Sequence, residues 1–338
     1  MDRLEQRLLN DFQRGLPLVQ RPFAEIGARL GMAETSVISM LGRLIAAGKI
    51  SRVGATFVPG RVGAATLAAA SVLPERLPDV ARMVSACPEV NHNYEREHRL
   101  NLWFVVTGSD EHHVDAVVRR IEGVADCGRV LSLPMVEAYH ADLGFDILGR
   151  TVADAASPRL RTPRKEASMP VVFSASEHAL AAALQQGLPL VVRPYASLGH
   201  YAALSEPEVI AILARWVESR IINRIGVIVR HHELGFNANA MAVWDVPDAE
   251  VRSVGLSVAQ ARYVTLCYRR LRHLPEWPYN LFCMIHGTSR NEVSARIAEL
   301  NGNHGLARYP QAVLFSCRRF KQCGARYLRS ATKVAAGG

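Results

Sequence analysis

Leu4, Leu8, Leu9 and Phe12 recur at helical spacing between Asp2 and Gly15, and the Gly15-Leu16-Pro17 step ends the pattern, which predicts a first helix. After Pro22 a second short helix is expected over residues 23–30, stopped at Gly31. Residues 34–47 place Val37, Ile38, Leu41, Leu44 and Ile45 at helical spacing, with Thr35 or Ser36 near the start and Gly48 as C-cap. Over residues 50–58 the period drops to two, as in a half-buried strand. Helix, helix, turn, helix, strand is a winged helix-turn-helix order.

A strand of small apolar residues follows at 64–73, then a helix at 77–86, strands at 90–96 and 100–107, a helix at 110–121 and a strand at 130–139. Strand, helix, strand, strand, helix, strand is the ferredoxin-like order, whose sheet leaves one face for a partner sheet or a ligand.

The whole arrangement occurs twice. Gly15-Leu16-Pro17-Leu18-Val19-Gln20-Arg21-Pro22-Phe23 returns as Gly187-Leu188-Pro189-Leu190-Val191-Val192-Arg193-Pro194-Tyr195. The register continues without a gap through Ile26-Gly27 over Leu198-Gly199, Val37-Ile38 over Val209-Ile210, Arg43 over Arg215, Arg52 over Arg224 and Gly54 over Gly226. The second copy predicts helices at 177–186, near Tyr195 and at 207–218, strands at 222–230, 238–244, 264–270 and 279–286, a helix at 290–300 and a strand at 312–317. The fold class is therefore α+β, a tandem repeat of winged helix-turn-helix plus ferredoxin-like modules. The expected domains are 1–58 and 171–230 (degenerate winged helix-turn-helix), 59–150 and 231–330 (ferredoxin-like), a basic linker at 151–170 with three prolines, and a disordered tail at 331–338.

Of the 338 residues 49% are hydrophobic, ample for buried cores, and no apolar run reaches the roughly 18 residues of a membrane span. The amino terminus alternates charge with leucine and lacks an apolar signal core, so a cytoplasmic protein without a membrane partner is expected. Six cysteines without a Cys-x-x-Cys pair read as free thiols, and no metal site is expected. The formal charge of +9 calls for a polyanionic partner, either nucleic acid or a small molecule rich in carboxylates. DNA fits poorly. The helix at 34–44 offers only Arg43 as a cation, and its counterpart carries Glu206 and Glu208, expected to face where phosphates would lie.

The cations concentrate instead in the ferredoxin-like halves. Alternate residues of a strand share a face, so His92, Tyr94 and Arg96 point together, as do Tyr268 and Arg270 in the second copy. That face offers an acid/base group, a phenol and a guanidinium. His92 is replaced by Leu266, while His286 stands where the first copy has Thr107, so each copy carries one histidine at a different place. One composite chemistry and two inequivalent pockets are both compatible with this. The Arg318-Arg319-Phe320-Lys321 run, a cation patch suited to carboxylates, closes the second copy, and Tyr139-His140 closes the first. The pairs His112-His113 and His231-His232 are read as surface.

The first 58 residues followed by a ferredoxin-like half resemble Lrp/AsnC regulators. His92-Asn93-Tyr94-Glu95-Arg96 in one half, with Cys267-Tyr268-Arg269-Arg270, the segment from Trp277 to Gly287, and Cys317-Arg318-Arg319-Phe320-Lys321-Gln322 in the other, narrows the likeness. The chain resembles the siroheme decarboxylases of haem d1 biosynthesis in denitrifiers, in the fused NirD-NirL form related to AhbA/AhbB. The resemblance implies loss of the acetate carboxylates on rings C and D of siroheme, giving 12,18-didecarboxysiroheme and CO2. It implies His92, His286 and His140 as acid/base candidates and Tyr94 and Tyr268 as orienting or relay groups, with Arg96, Arg269, Arg270, Arg318 and Arg319 on spectator carboxylates. No cofactor is expected, because iron enters with siroheme. A homo-oligomer or an internal pseudo-dimer is expected, with NirG-like and NirH-like subunits as candidate partners. A tetrapyrrole-sensing regulator and an oligomeric scaffold stay open as alternatives.

Overall fold

The structure is a computed structural model that describes residues 2–58, 60–125, 127–141, 170–230 and 237–328, the side chains of Val124 and Ala125 excepted. The tail at 331–338, most of the linker and His231-His232 lie outside the described residues. The first copy runs α1 (Arg3–Asp11), α2 (Pro22–Leu30), α3 (Glu34–Ala46), β1 (Ile50–Phe57), β2 (Ala64–Ala70), α4 (Leu77–Ala86), β3 (Val90–Arg96), β4 (Leu102–Gly108), α5 (Glu111–Ala125) and β5 (Leu131–Ala141). The second runs α6 (Ala175–Leu184), α7 (Pro194–Ala202), α8 (Glu206–Glu218), β6 (Ile222–Val229), β7 (Ala238–Trp244), α9 (Val251–Val258), β8 (Val264–Arg270), β9 (Leu281–Gly287), α10 (Arg290–Asn303) and β10 (Gln311–Gln322).

The two strands expected as separate wings pair with each other. β1 and β6 form an antiparallel ribbon with Gly54 opposite Gly226 at its centre. The segment after α1 crosses this ribbon: Val227 N–H donates to Phe12 O at 2.8 Å and Leu16 N–H to Ile225 O at 3.0 Å. A Cβ on Gly226 would stand 2.5 Å from Phe12 O, so the crossing requires glycine there. Phe23, Ile26 and Leu41 of one copy share a core with Tyr195, Leu213 and Trp216 of the other, making one body of both helix-turn-helix units. Of the two α8 carboxylates expected to face outward, only Glu208 does. Glu206 is buried against Arg193, with Nε to Oε2 at 3.0 Å, and Glu208 accepts from Ser205 N–H at 2.7 Å as an N-terminal cap.

The ferredoxin-like halves join by their edges rather than stacking face on face. Eight strands close into a barrel in the order β10-β3-β4-β2-β5-β8-β9-β7, which leaves no free edge in the barrel. Closure depends on two long strands that change partners midway. β5 pairs through Leu131–Pro134 with β2 and from Met135 onward with β8, while β10 pairs through Gln311–Phe315 with β7 and from Ser316 onward with β3. Bulges at Met135/Glu137 and Ser316/Arg318 mark the switch. The internal pseudo-dimer is thus an exchange of strands. Tyr139, on the exchanged part of β5, packs against Gly255 of α9 so closely that a Cβ there would overlap its ring.

Helices α4 and α5 cover one half of the barrel over Val80, Val90, Phe104 and Val117, and α9 and α10 cover the other over Val251, Val264, Ile285 and Ile297. Cross-strand neighbours are antiparallel throughout, so the starts of β2, β3, β7 and β8 and the ends of the other four strands share one mouth. That mouth lies beneath the helix-turn-helix body. Cys323 N–H donates to Asn91 O at 2.8 Å, Arg326 O accepts from the Thr107 hydroxyl at 3.2 Å, and Tyr327 N–H donates to Gln185 Oε1 at 3.1 Å. Residues 323–328 therefore strap the barrel mouth to the end of α6.

Candidate active site in the barrel

The inward-facing positions divide into two zones. Away from the mouth the barrel is plugged by Trp103, Trp277, Phe282, Leu133, Leu314 and Val243, all buried, with Trp103 and Trp277 edge to face at 5.0 Å between ring centroids. Nearer the mouth His92, Tyr94, Leu266, Tyr268, Arg270 and Arg319 also face inward, yet each keeps accessible surface. Enclosed side chains that retain accessible surface line a hollow rather than a packed core.

The deepest polar groups of the hollow are two arginines at equivalent ends of β3 and β8. Arg96 donates through Nη1 to Leu314 O at 3.0 Å, its Nη2 lies 3.8 Å from Met284 Sδ, and its Nε has no hydrogen-bond partner. Arg270 donates through Nη1 to Leu133 O at 2.7 Å and lies over the rings of Tyr268 and Phe282 at 5.4 and 5.6 Å. Among the described residues neither guanidinium is within ion-pairing distance of a carboxylate. Burial pulls both down to about 10, which leaves both charged at neutral pH. Two enclosed cations without counter-charge make the hollow strongly attractive to an anion.

His92 stacks on Tyr94 with centroids 6.3 Å apart, and its Nδ1 is 2.9 Å from Asn91 Oδ1. An amide oxygen only accepts, so Nδ1 carries the proton and Nε2 the lone pair. Burial brings the imidazole down to about 4, so His92 is neutral in the empty site. Burial raises the phenols of Tyr94 and Tyr268, an effect that Arg96 and Arg319 oppose at Tyr94 and Arg270 at Tyr268. His286 sits across the hollow on β9, 3.0 Å through Nδ1 from the Thr265 hydroxyl, which itself donates to Met284 O at 3.0 Å. With its one proton committed there, Thr265 accepts from His286 Nδ1–H.

Three of the residues expected at the site face elsewhere. Arg269 pairs with Asp248 at 3.0 Å and Arg318 lies 3.7 Å from Glu95, both on the outward side of their strands. His140 registers opposite Cys267, whose thiol points at Gly255 O of α9, so it lies off the inward face too. Sequence reading passed over Gln322 and Ser316, which oppose His92 and Arg96 across β3 and β10. Their strand was expected to stop at Cys317, and only its alternation carried on to Gln322 would have exposed them. Tyr327, in the strap, carried no signal in the sequence and is buried, its phenol pushed up to about 12. His113, read as surface, is held by Ser109 and by Glu89 at 3.6 Å.

Residues 61–140 and 233–321 match the AsnC-like ligand binding domain, and residues 5–50 and 177–222 match the siroheme decarboxylase NirDL-like HTH domain. The siroheme decarboxylase NirDL subunit of Paracoccus denitrificans (strain Pd 1222) is 44% identical over 326 residues, covering 96% of this chain and 97% of the relative. The chain belongs to the siroheme decarboxylase NirDL family. The crystal structure of a siroheme decarboxylase NirDL in co-complex with an iron-uroporphyrin III analogue superposes with a TM-score of 0.66 at 26% identity, covering 96% of this chain and 93% of that one. The family also includes half-length subunits: the NirH subunit of Pseudomonas aeruginosa is 39% identical over 142 residues, 42% of this chain and 83% of its own. Like its relatives the chain is an enzyme, and no described helix is long and apolar enough to cross a membrane.

Proposed function

We propose that the protein is a carboxy-lyase that removes the acetate carboxylates on rings C and D of siroheme, yielding 12,18-didecarboxysiroheme and two CO2. The observation that carries this reading is the pair Arg96 and Arg270, enclosed cations facing one hollow with no carboxylate of the described residues beside them. Siroheme brings eight carboxylates, and those not consumed supply the missing counter-charge. Arg319, inward-facing and opposite Tyr94, adds a third cation. Arg269 and Arg318, tied to Asp248 and Glu95, are left to hold the outer surface together.

Each step converts a ring-bound CH2–COO− and one proton into CH3 and CO2. The C–C electron pair is drawn into the conjugated macrocycle as CO2 leaves, and it returns to the methylene carbon, which takes the proton. Carboxylates entering the hollow raise the affinity of His92 for a proton, reversing the effect of burial, so substrate binding arms the acid. Tyr94, stacked on His92, orients the ring or relays the proton, and Tyr268 plays the orienting part on the far wall. His286 is the second acid/base candidate, held in register by Thr265. His140, off the inward face, is not assigned a step. The reaction requires no cofactor of the protein's own, since the iron arrives in the substrate.

The internal pseudo-dimer provides the complete hollow within one chain, and NirG-like and NirH-like subunits are the partners we assign to it by family. A cytoplasmic setting suits the thiols of Cys267 and Cys283, hydrogen-bonded at 3.4 Å rather than bridged. Specific DNA binding is left without chemistry, since α3 offers one cation and the α8 carboxylates are spent on Arg193 and on a cap. Anaerobic incubation with siroheme followed by mass analysis tests the assignment. Two successive losses of CO2 are expected. Unchanged siroheme, with retardation of duplex DNA at physiological ionic strength, would overturn it.

A further inference from the structure

The barrel contains two seams where a strand of one half joins the sheet of the other, and pseudo-symmetry relates them. At the β3–β10 seam His92 faces Gln322, Tyr94 faces Arg319 and Arg96 faces Ser316. At the β5–β8 seam the corresponding pairs are Leu266 with Ala141, Tyr268 with Ala138 and Arg270 with Met135. Tyrosine and the deep arginine are kept at both. Every other polar position of the first seam is apolar in the second. The polar set is also internally connected, with Arg319 Nη1 donating to Gln322 Oε1 at 3.1 Å and Ser316 Oγ 2.7 Å from Asn239 Oδ1.

A two-fold site that removed the two acetates at two equivalent corners would need a proton donor and an anion clamp at each. The second seam can hold a carboxylate at Arg270, but its Leu266 and Ala138 offer neither group beside Tyr268; His286, on the neighbouring strand β9, stands nearer the mouth against Thr265, four residues beyond the Phe282 that opposes Tyr268, with no clamp at the seam to serve it. We infer that both decarboxylations take place at the single β3–β10 seam, with Arg319, Gln322 and Ser316 positioning each acetate in turn before His92, and that the β5–β8 seam is the apolar wall against which the macrocycle lies. The inference rests on the proposed reaction. The acetates of rings C and D exchange places on a half turn about the in-plane axis through the C–D junction, because ring D carries its two chains in reversed order. A macrocycle that flips about that axis presents its second acetate to the same seam. The product of the first step is then a monodecarboxylated species that must reorient before the second.

The test is a mass-resolved time course that yields a rate constant for each CO2 lost, run on the full chain with siroheme under anaerobic conditions. Tyr94→Phe and Gln322→Leu are expected to lower both rate constants, each by tenfold or more and by similar factors. Tyr268→Phe, which alters a wall shared by both bound orientations, is expected to raise KM and to change the two rate constants by the same factor. Binding of an iron-uroporphyrin III analogue, read from tryptophan quenching, identifies variants that have kept the hollow. The inference is overturned if Tyr268→Phe slows one step alone while Tyr94→Phe slows the other, or if neither Tyr94→Phe nor Gln322→Leu slows either step. Wild-type protein that leaves siroheme intact would instead remove the parent reading.

Discussion

His92 shows how one residue's surroundings set both its chemistry and its cost. Alone on a strand it would titrate near 6.5; enclosed beside Tyr94 with no anion, it titrates near 4. Because the folded value is depressed, the unfolded chain binds more protons between these limits. Stability is therefore full above about pH 6.5 and falls as pH drops toward 4, by about 2 kcal/mol at pH 5 from this group. His92→Gln is expected to remove that slope, measured as the difference in unfolding free energy between pH 7.5 and pH 5. An unaltered slope would mean that His92 is solvated in the native state. Tyr-x-Arg at both strand ends was legible in the sequence because alternation alone puts Tyr94 with Arg96 and Tyr268 with Arg270 on one face. What alternation could not show was that, among the described residues, Arg96 and Arg270 have no acid beside them while Arg269 and Arg318 do, since the acids come from distant segments or partner strands.

At the scale of elements, the exchanged strands decide the most. β5 and β10 begin in their own sheets and end in the other, and bulges turn them across the junction. The outer face of the exchanged segment must then pack on foreign helices, and Tyr139 does so where α9 offers Gly255. Gly255→Ala is expected to destabilise the protein by about 2 kcal/mol through overpacking against that ring, seen as a lower midpoint in urea with an unchanged m-value. A neutral substitution would show that the junction is loosely packed. The helices and strands themselves were readable from periodicity. The lengths of β5 and β10 were not, because the bulges break the period of two before the strands end.

For the whole molecule, strand exchange ties the two halves into one cooperative unit. Neither half closes its sheet without β5 or β10 of the other, and the two helix-turn-helix bodies share a core. Calorimetry is expected to give a single transition whose van't Hoff and calorimetric enthalpies agree; two resolved transitions would show that the halves melt independently. The helix-turn-helix layer, whose α3 and α8 carry one arginine each, is the roof over the barrel mouth, fastened by the strap from Cys323 to Leu328.

The sequence by itself determined the doubling, the order of elements in each copy and which strand faces carry histidine, tyrosine and arginine, because these follow from local periodicity and from direct repetition. Only the tertiary structure decided that the halves meet edge to edge, that β1 and β6 pair with each other, and that one seam is polar and its twin apolar. Pairing between segments some 170 to 220 residues apart leaves no local trace, and whether a buried charge is compensated depends on what the rest of the chain brings beside it.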